Sequence, residues 1–97
     1  MNGEISGYCK KYYEKIMIFE GEYLNGKKNG KVKEYHRSGQ LIYEGEYLNG
    51  KKNGKVKEYD ENGQLMFEGE YFNGKKWNGK GRGYEYTDFM NMILSLV

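Results

Sequence analysis

A sixteen-residue segment of this chain occurs twice without change. Residues 20–35 read EGEYLNGKKNGKVKEY, residues 44–59 read the same, and a third, diverged copy begins at Glu68, so the period is 24 residues. Self-similarity at such a period indicates a repeat array, because one unit of this size buries its apolar face only when a neighbour stacks against it. Function is therefore to be sought first on a surface that recurs from copy to copy.

The composition limits what the array can be. The 97 residues form one domain at most, and a large enclosed core is not expected when 37% of residues are apolar. The charged residues nearly cancel to a net charge of +2, so no global field favours nucleic acid. No segment has the apolar run of a signal peptide or a membrane span. We expect a cytoplasmic protein, with attachment to a membrane or the cytoskeleton as an extension of that reading.

The middle copy, residues 42–65, shows how one unit folds. Residues 42–48 and 53–59 are short runs with aromatic and β-branched residues, and the segments that follow them, 49–52 and 60–63, have turn chemistry. No helical period competes, since apolar residues recur at a spacing of two. Each repeat is therefore predicted to be strand, turn, strand, turn.

The hairpin register depends on the length of the turn at Asn49-Gly50-Lys51-Lys52. A four-residue turn pairs Glu46 with Lys55, Glu44 with Lys57, and Gly45 with Val56. A two-residue Asn-Gly turn gives another register and keeps the same aromatic face, and both remain open. On that face Tyr43 and Tyr47 flank Gly45, which leaves room for Val56. The charged pairs lie on the opposite face.

Stacking the copies predicts an all-β fold, an elongated single-layer antiparallel meander of about seven strands. The single domain 1–97 then contains repeats at about 18–41, 42–65 and 66–86, a partial repeat at 2–17 and a tail at 87–97. Ordering one hairpin costs more than its burial returns, so a lone repeat is predicted to be unfolded.

The two ends depart from the pattern. Residues 3–8 resemble the second strand of a repeat, and Trp77 looks like an insertion in the third turn. The tail is apolar, and a short helix would place Phe89 and Ile93 on one stripe. Such a tail is interpreted as a lid over the end of the sheet, as a dimer contact, or as an artefact of where the chain is bounded.

The repeat resembles the MORN repeat family. The shared pattern is Tyr-x-Gly-x-Tyr followed by Asn-Gly-Lys-Lys and a strand led by glycine, here residues 43–54. Lys57-Glu58-Tyr59 and Asn62-Gly63-Gln64-Leu65 are similar to the 24-residue variant of the repeat. Only the last copy, with Gly79-Lys80-Gly81, is similar to the common form.

This resemblance implies an interaction module with no catalytic role. Scaffolding, dimerisation and targeting to membranes are what the family suggests, and we expect docking to a protein partner or to a second copy of the chain. The alternative is peripheral binding of anionic, phosphoinositide-like lipid. A second alternative is an antitoxin-like protein that neutralises a partner toxin, because the variant repeat is also found in bacterial proteins of that label.

Two sets of residues are candidate sites. The recurring lysine pairs are predicted to project from turns along one edge, where they could hold anionic headgroups: Lys27, Lys28, Lys51, Lys52, Lys75 and Lys76. Lysine in an exposed turn also serves solubility alone. The aromatic ladder and the tail offer candidates for protein binding: Tyr23, Tyr47, Tyr71, Trp77, Phe89 and Ile93. Packing within the sheet also accounts for the ladder.

Catalysis, metal binding and cofactors are not expected. His36 is the single histidine and Cys9 the single cysteine, so neither a zinc set nor an internal disulfide can form. Glu44 and Glu46 are more simply partners of lysines than a catalytic pair. Tyrosine and lysine interleave as in single-strand nucleic-acid binders, but glutamate interleaves as well, which argues against a positive groove.

Overall fold

The computed structural model describes residues 4–81 and 84–85. Their strands, in chain order, are β1 Gly7–Tyr13, β2 Ile16–Leu24, β3 Lys27–Tyr35, β4 Leu41–Leu48, β5 Lys51–Tyr59, β6 Leu65–Phe72, β7 Lys75–Gly81 and β8 Tyr84–Glu85. Each strand pairs antiparallel with the next, which gives one sheet in chain order and a plate only 14 Å thick. The predicted all-β, single-layer meander is confirmed, with eight strands instead of about seven.

Two-residue turns close four of the hairpins in the described part of the chain. In the turns Glu14-Lys15, Asn25-Gly26, Asn49-Gly50 and Asn73-Gly74, both residues have positive φ. This is the type I′ geometry, whose twist matches that of the flanking strands and which favours Asn-Gly. The lysine pairs that follow the three Asn-Gly turns therefore begin a strand, and the prediction that they project from turns is wrong.

Both predicted registers occur within one hairpin. Next to the turn the pairs are those of a two-residue turn, and beyond a bulge they are those predicted for a longer one: Leu48–Lys51 and Tyr47–Lys52, then Gly45–Val56 and Glu44–Lys57. The bulge contains Gly54, whose φ of 86° is left-handed. The predicted pairing of Glu46 with Lys55 does not form in this hairpin. Glu46 pairs with Lys31 and Lys55 with Glu70, each across the junction between repeats.

The core is a line of side chains on one face of the sheet. Phe19, Tyr43 and Phe67 occupy the same position in successive repeats, and Val32 and Val56 lie between them, all at most 3% exposed. Cys9 packs against this cluster at the N-terminal end. A single layer can bury these rings because neighbouring strands and long polar side chains cover them.

The first strand has a different alignment from the predicted one. Gly7 pairs with Tyr23 as Gly30 pairs with Tyr47, so residues 7–12 take the place of residues 30–35. Residues 3–8 had the same glycine and tyrosine spacing, but the observed alignment places Cys9 opposite Gly21, in the core position of valine.

The last hairpin also differs from its prediction. Trp77 lies within β7, not in a turn, and the bulge there is one residue shorter than in the earlier hairpins. Gly79 pairs with Gly69, where Val56 pairs with Gly45. The predicted helical tail, including Phe89 and Ile93, lies outside the described residues.

Candidate functional site

A lysine from each repeat covers the aromatic face. The Nζ atom of Lys52 lies 4.7 Å from the ring centroid of Tyr43 and 5.4 Å from that of Tyr71, which belongs to the next repeat. The same ammonium forms an ion pair with Glu58 at 2.7 Å. Cation–π contacts and an ion pair therefore hold this side chain over the core.

The arrangement recurs one repeat earlier. Lys28 lies 5.2 Å from the centroid of Phe19 and 5.1 Å from that of Tyr47, and it pairs with Glu34. In the third repeat Lys76 lies 4.8 Å from the ring of Phe67. These three lysines therefore cover part of the aromatic face of the sheet.

The outer tyrosines belong to the same layer. Tyr47 packs edge-on against Tyr43 at 5.5 Å, and its hydroxyl donates to Glu34 at 3.1 Å. Tyr71 repeats this with the Glu58 carboxylate, at 3.2 Å. Burial raises the pKa of Tyr43 well above its usual value, and burial with the Glu34 carboxylate raises that of Tyr47. These tyrosines thus have a structural role, whatever else they bind.

At the N-terminal end of the sheet a lysine also lies over an aromatic ring, but it comes from a different position of the repeat. Lys11 stands at the position of Glu34, and its Nζ lies 4.6 Å from the ring of Tyr23 and donates to the Tyr23 hydroxyl. Ile5 takes the place of Lys28, since its carbonyl accepts from the amide of Gly26 just as the Lys28 carbonyl accepts from Gly50.

The predicted set of six lysines is therefore divided between the two faces. Lys28, Lys52 and Lys76 lie on the aromatic face, where they contact rings and are half-buried. Lys27, Lys51 and Lys75 are exposed at the turn edge of the other face. The stem of Lys27 runs along Gly50, with its Cβ 3.7 Å from the place of a Cβ there, and Lys51 runs along Gly74 in the same way.

An exposed apolar row that was not predicted lies beside these three lysines. Leu24, Leu48 and Phe72 pair directly with Lys27, Lys51 and Lys75 and are 51%, 57% and 65% exposed. Trp77 packs against Phe72 with ring centroids 6.1 Å apart. The signal for this row was present in the sequence as a large apolar residue directly before each Asn-Gly-Lys-Lys segment. We use the name turn-edge row for the six paired residues Leu24, Leu48, Phe72, Lys27, Lys51 and Lys75.

Hydrogen bonds tie each turn to the preceding repeat. The amide of Gly50 donates to the Lys28 carbonyl at 2.8 Å, and the amide of Asn49 donates to Asn29 Oδ1 at 2.9 Å. The same two bonds recur one repeat later, from Gly74 to Lys52 and from Asn73 to Asn53. At the first turn Ser6 Oγ replaces the asparagine and accepts from Asn25 at 3.0 Å. These hydrogen bonds therefore fix the backbone of the turns beside the turn-edge row.

The face opposite the aromatic core, which also carries the turn-edge row, has charged side chains around a groove of about 860 Å³. Its main row alternates in sign across the strands in the order Lys10, Glu20, Lys33, Glu44, Lys57 and Glu68. Among the described residues this face has one ion pair, Lys57–Glu68 at 3.8 Å, with both side chains at least half exposed. The predicted pairing of Glu44 with Lys57 is confirmed in register, but close contact between opposite charges is rare among the described residues of this face.

The described residues offer little for catalysis or metal binding. No group of three histidine, cysteine or carboxylate side chains in residues 4–81 and 84–85 could hold a metal ion. His36 lies in a turn, where its Nδ1 accepts from the amide of Ser38, much as the Asp60 carboxylate accepts from Asn62 one repeat later. In that same part of the chain no helix is long and apolar enough to cross a membrane.

Two comparisons bear on identity. A search of curated proteins found no match. The family model described as a MORN repeat variant matches residues 28–49 and again residues 52–73. The two matches follow the structural period, and each spans two strands and the long turn between them. MORN repeats are known as a non-catalytic repeat module. Residues 28–49 and 52–73 are therefore two MORN repeats of the variant type.

Proposed function

We propose that this chain is a docking module without catalytic activity, and that its charged groove receives a segment of a partner protein. The observation that supports this is the groove itself, which is lined by alternating carboxylates and ammonium groups that make few contacts with each other. Such groups remain available to a partner. Surface charges of this kind contribute specificity and orientation more than affinity.

The geometry favours a partner segment that crosses the strands. Neighbouring strands are about 4.8 Å apart, so the main row changes sign about every 4.8 Å along the groove. A helix advances about 5.4 Å per turn and presents one side chain per turn to a surface. A helix with alternating acidic and basic residues at successive turns therefore fits this row.

Site-specific photo-crosslinking in cells tests the proposal. A photoreactive residue at Glu46, in the groove, is expected to give a discrete crosslinked species, whereas the same residue at Ser38, in an exposed turn, gives none. Glu46→Gln should weaken the interaction in a pull-down, and Glu61→Gln, the same change in a turn, should not. Equal crosslinking from both positions, or from neither, would reject the groove as the docking surface.

The turn-edge row supports a second candidate function, binding to an anionic membrane surface. It combines exposed apolar side chains with three lysines, and a lysine near an anionic surface contributes about 1 kcal/mol. Sedimentation with vesicles of phosphatidylcholine alone and with added phosphatidylserine checks this. Binding should require the anionic lipid, weaken with salt, and fall for Lys51→Gln but not for Lys55→Gln. Binding that changes neither with salt nor with Lys51→Gln would exclude this candidate.

A further inference from the structure

Among the described residues, strand β1 has one neighbouring strand where the equivalent strands of the repeats have two. Through its pairing with β2, β1 is equivalent to β3 and β5, each of which has a second neighbour across an Asn-Gly hairpin. In the part of the chain that the structure describes, β1 pairs with β2 alone and forms an edge of the sheet. An edge strand can add a further strand through its free backbone groups.

The surroundings of the bulge glycine show which side chain an additional strand would place beside β1. Gly30 and Gly54 have φ of 101° and 86°, and Gly7 at the equivalent position has φ of 109°. A Cβ on Gly30 would lie 2.8 Å from Glu22 Oε1, and one on Gly54 would lie 3.5 Å from the Glu46 carboxyl carbon. Around Gly7, no heavy atom of the described residues lies within 4 Å of that point, apart from its chain neighbours.

The charges of β1 favour an acidic neighbour. Within the array Lys33 lies between Glu20 and Glu44, and Lys57 lies between Glu44 and Glu68. Lys10 has the equivalent position in β1 and faces Glu20 on one side only. If β1 paired antiparallel with β1 of a second copy, Lys10 and Lys11 of one copy would lie close to Lys10 and Lys11 of the other. Repulsion between these like charges disfavours a symmetric dimer at this edge.

We infer that the free edge of β1 binds an extended segment of another protein with the pattern aromatic-Glu-Gly-Glu-aromatic. The internal hairpins specify the register. The aromatic residue would lie opposite Lys11, the first glutamate opposite Lys10 and the glycine opposite Cys9, as Tyr43, Glu44 and Gly45 lie opposite their partners in β5. The second glutamate would lie beside Gly7. This edge borders the groove, which Tyr8 of β1 helps to line, but the inference rests on backbone pairing and does not depend on groove docking.

A fluorescent peptide with the sequence of residues 41–49, LIYEGEYLN, is a direct probe. Fluorescence anisotropy with the full chain should show saturable binding. Lys10→Glu should weaken that binding at least tenfold, while Lys75→Glu, the same charge change at the opposite end, should leave it within twofold. Circular dichroism confirms that both variants remain folded.

Two altered peptides identify the register. Replacing the peptide glycine by valine should abolish binding, because a side chain there would meet Cys9. Replacing its first glutamate by lysine should restore binding to the Lys10→Glu chain. Absence of peptide binding, or binding that Lys10→Glu does not change, would overturn the inference. Lys10 and Lys11 would then serve to protect the edge from pairing. A chain that dimerises through β1, as shown by sedimentation equilibrium and loss of the dimer in Lys10→Glu, would overturn the assigned partner.

Discussion

Gly45 lies directly opposite Val56, and a Cβ atom on Gly45 would come within 2.6 Å of Val56 Cγ1 and 2.9 Å of the Lys55 carbonyl oxygen. Gly21 has the same relationship to Val32. The glycines of the first two Glu-Gly-Glu segments are thus required by close packing, not by an unusual φ. The valine fills the space that a side chain on the neighbouring strand would otherwise take.

Gly45→Ala is therefore expected to destabilise the sheet. Forcing one methyl group into a filled site costs about 1–3 kcal/mol. Urea unfolding followed by circular dichroism measures this loss. Glu46→Ala, on the next residue and the other face, should change stability by about 0.5 kcal/mol or less. Equal effects of the two substitutions would contradict the packing argument.

Asn29→Ala should lower stability by about 1 kcal/mol, because the amide of Asn49 loses its acceptor. The chain supplies its own control, since Ser6 has this role at the first turn. Asn29→Ser should therefore retain most of the stability that Asn29→Ala loses. Thermal melts of the two variants decide this, and a serine variant as unstable as the alanine variant would show that the side-chain bond is unimportant.

The two lysines of a pair should respond differently to the same substitution. Lys52→Met removes two cation–π contacts and the ion pair to Glu58, and should cost about 1 kcal/mol. Lys51→Met, on the other face, should cost about 0.5 kcal/mol or less. Unfolding in urea at low and high salt tests both, and only the Lys52 contribution should include a salt-sensitive part.

Alkaline pH should unfold the protein, and Tyr43 should contribute. Burial raises the folded-state pKa of Tyr43 above the usual value of 10.0. Above pH 10 the unfolded chain therefore loses this proton before the folded chain does, and stability falls as pH rises from there towards the folded pKa. Below pH 10 both states are protonated and this term is fully present.

Tyr43→Phe provides the test, because Phe19 and Phe67 occupy the same position in the neighbouring repeats. At pH 7 the variant should lose only the hydrogen bond to the Glu46 carbonyl, about 1 kcal/mol. Its stability should then fall less steeply than that of the wild type between pH 10 and pH 12. Parallel pH profiles would show that Tyr43 does not take part in alkaline unfolding.

A peptide of residues 42–65 should show no cooperative β transition. Its turn loses both hydrogen bonds to the preceding repeat, from Gly50 to Lys28 and from Asn49 to Asn29. An isolated two-stranded hairpin is marginal in water at best. Circular dichroism against temperature, with the intact chain as reference, checks this; a cooperative melt of the peptide would mean that one repeat is self-sufficient.

Much of the candidate site could be anticipated from identical letters at a fixed period. Residues that repeat in the sequence occupy equivalent places in the array, so the ladder of Phe19, Tyr43 and Phe67 followed from pattern and pleat alone. The pairing of Gly45 with Val56 belonged to one of the two registers that the sequence left open. The recurrence alone did not predict that Lys51 and Lys52 belong to a strand. Once the strand begins at Lys51, alternation sends one lysine to each face.

The sequence by itself determined the class of fold, the period and the face on which the aromatic residues lie, because these depend on local alternation and turn chemistry. Tertiary structure decided the rest. The two-residue turn is held by bonds to the preceding repeat, and residues 3–8 and 7–12 have the same glycine and tyrosine spacing. The packing of Cys9 opposite Gly21 and the hydrogen bonds of Ile5 and Ser6 to the first Asn-Gly turn accompany the second of these alignments. Contacts between residues far apart in the sequence, such as Asn29 and Asn49, determine the turn and the alignment, and no local pattern encodes them.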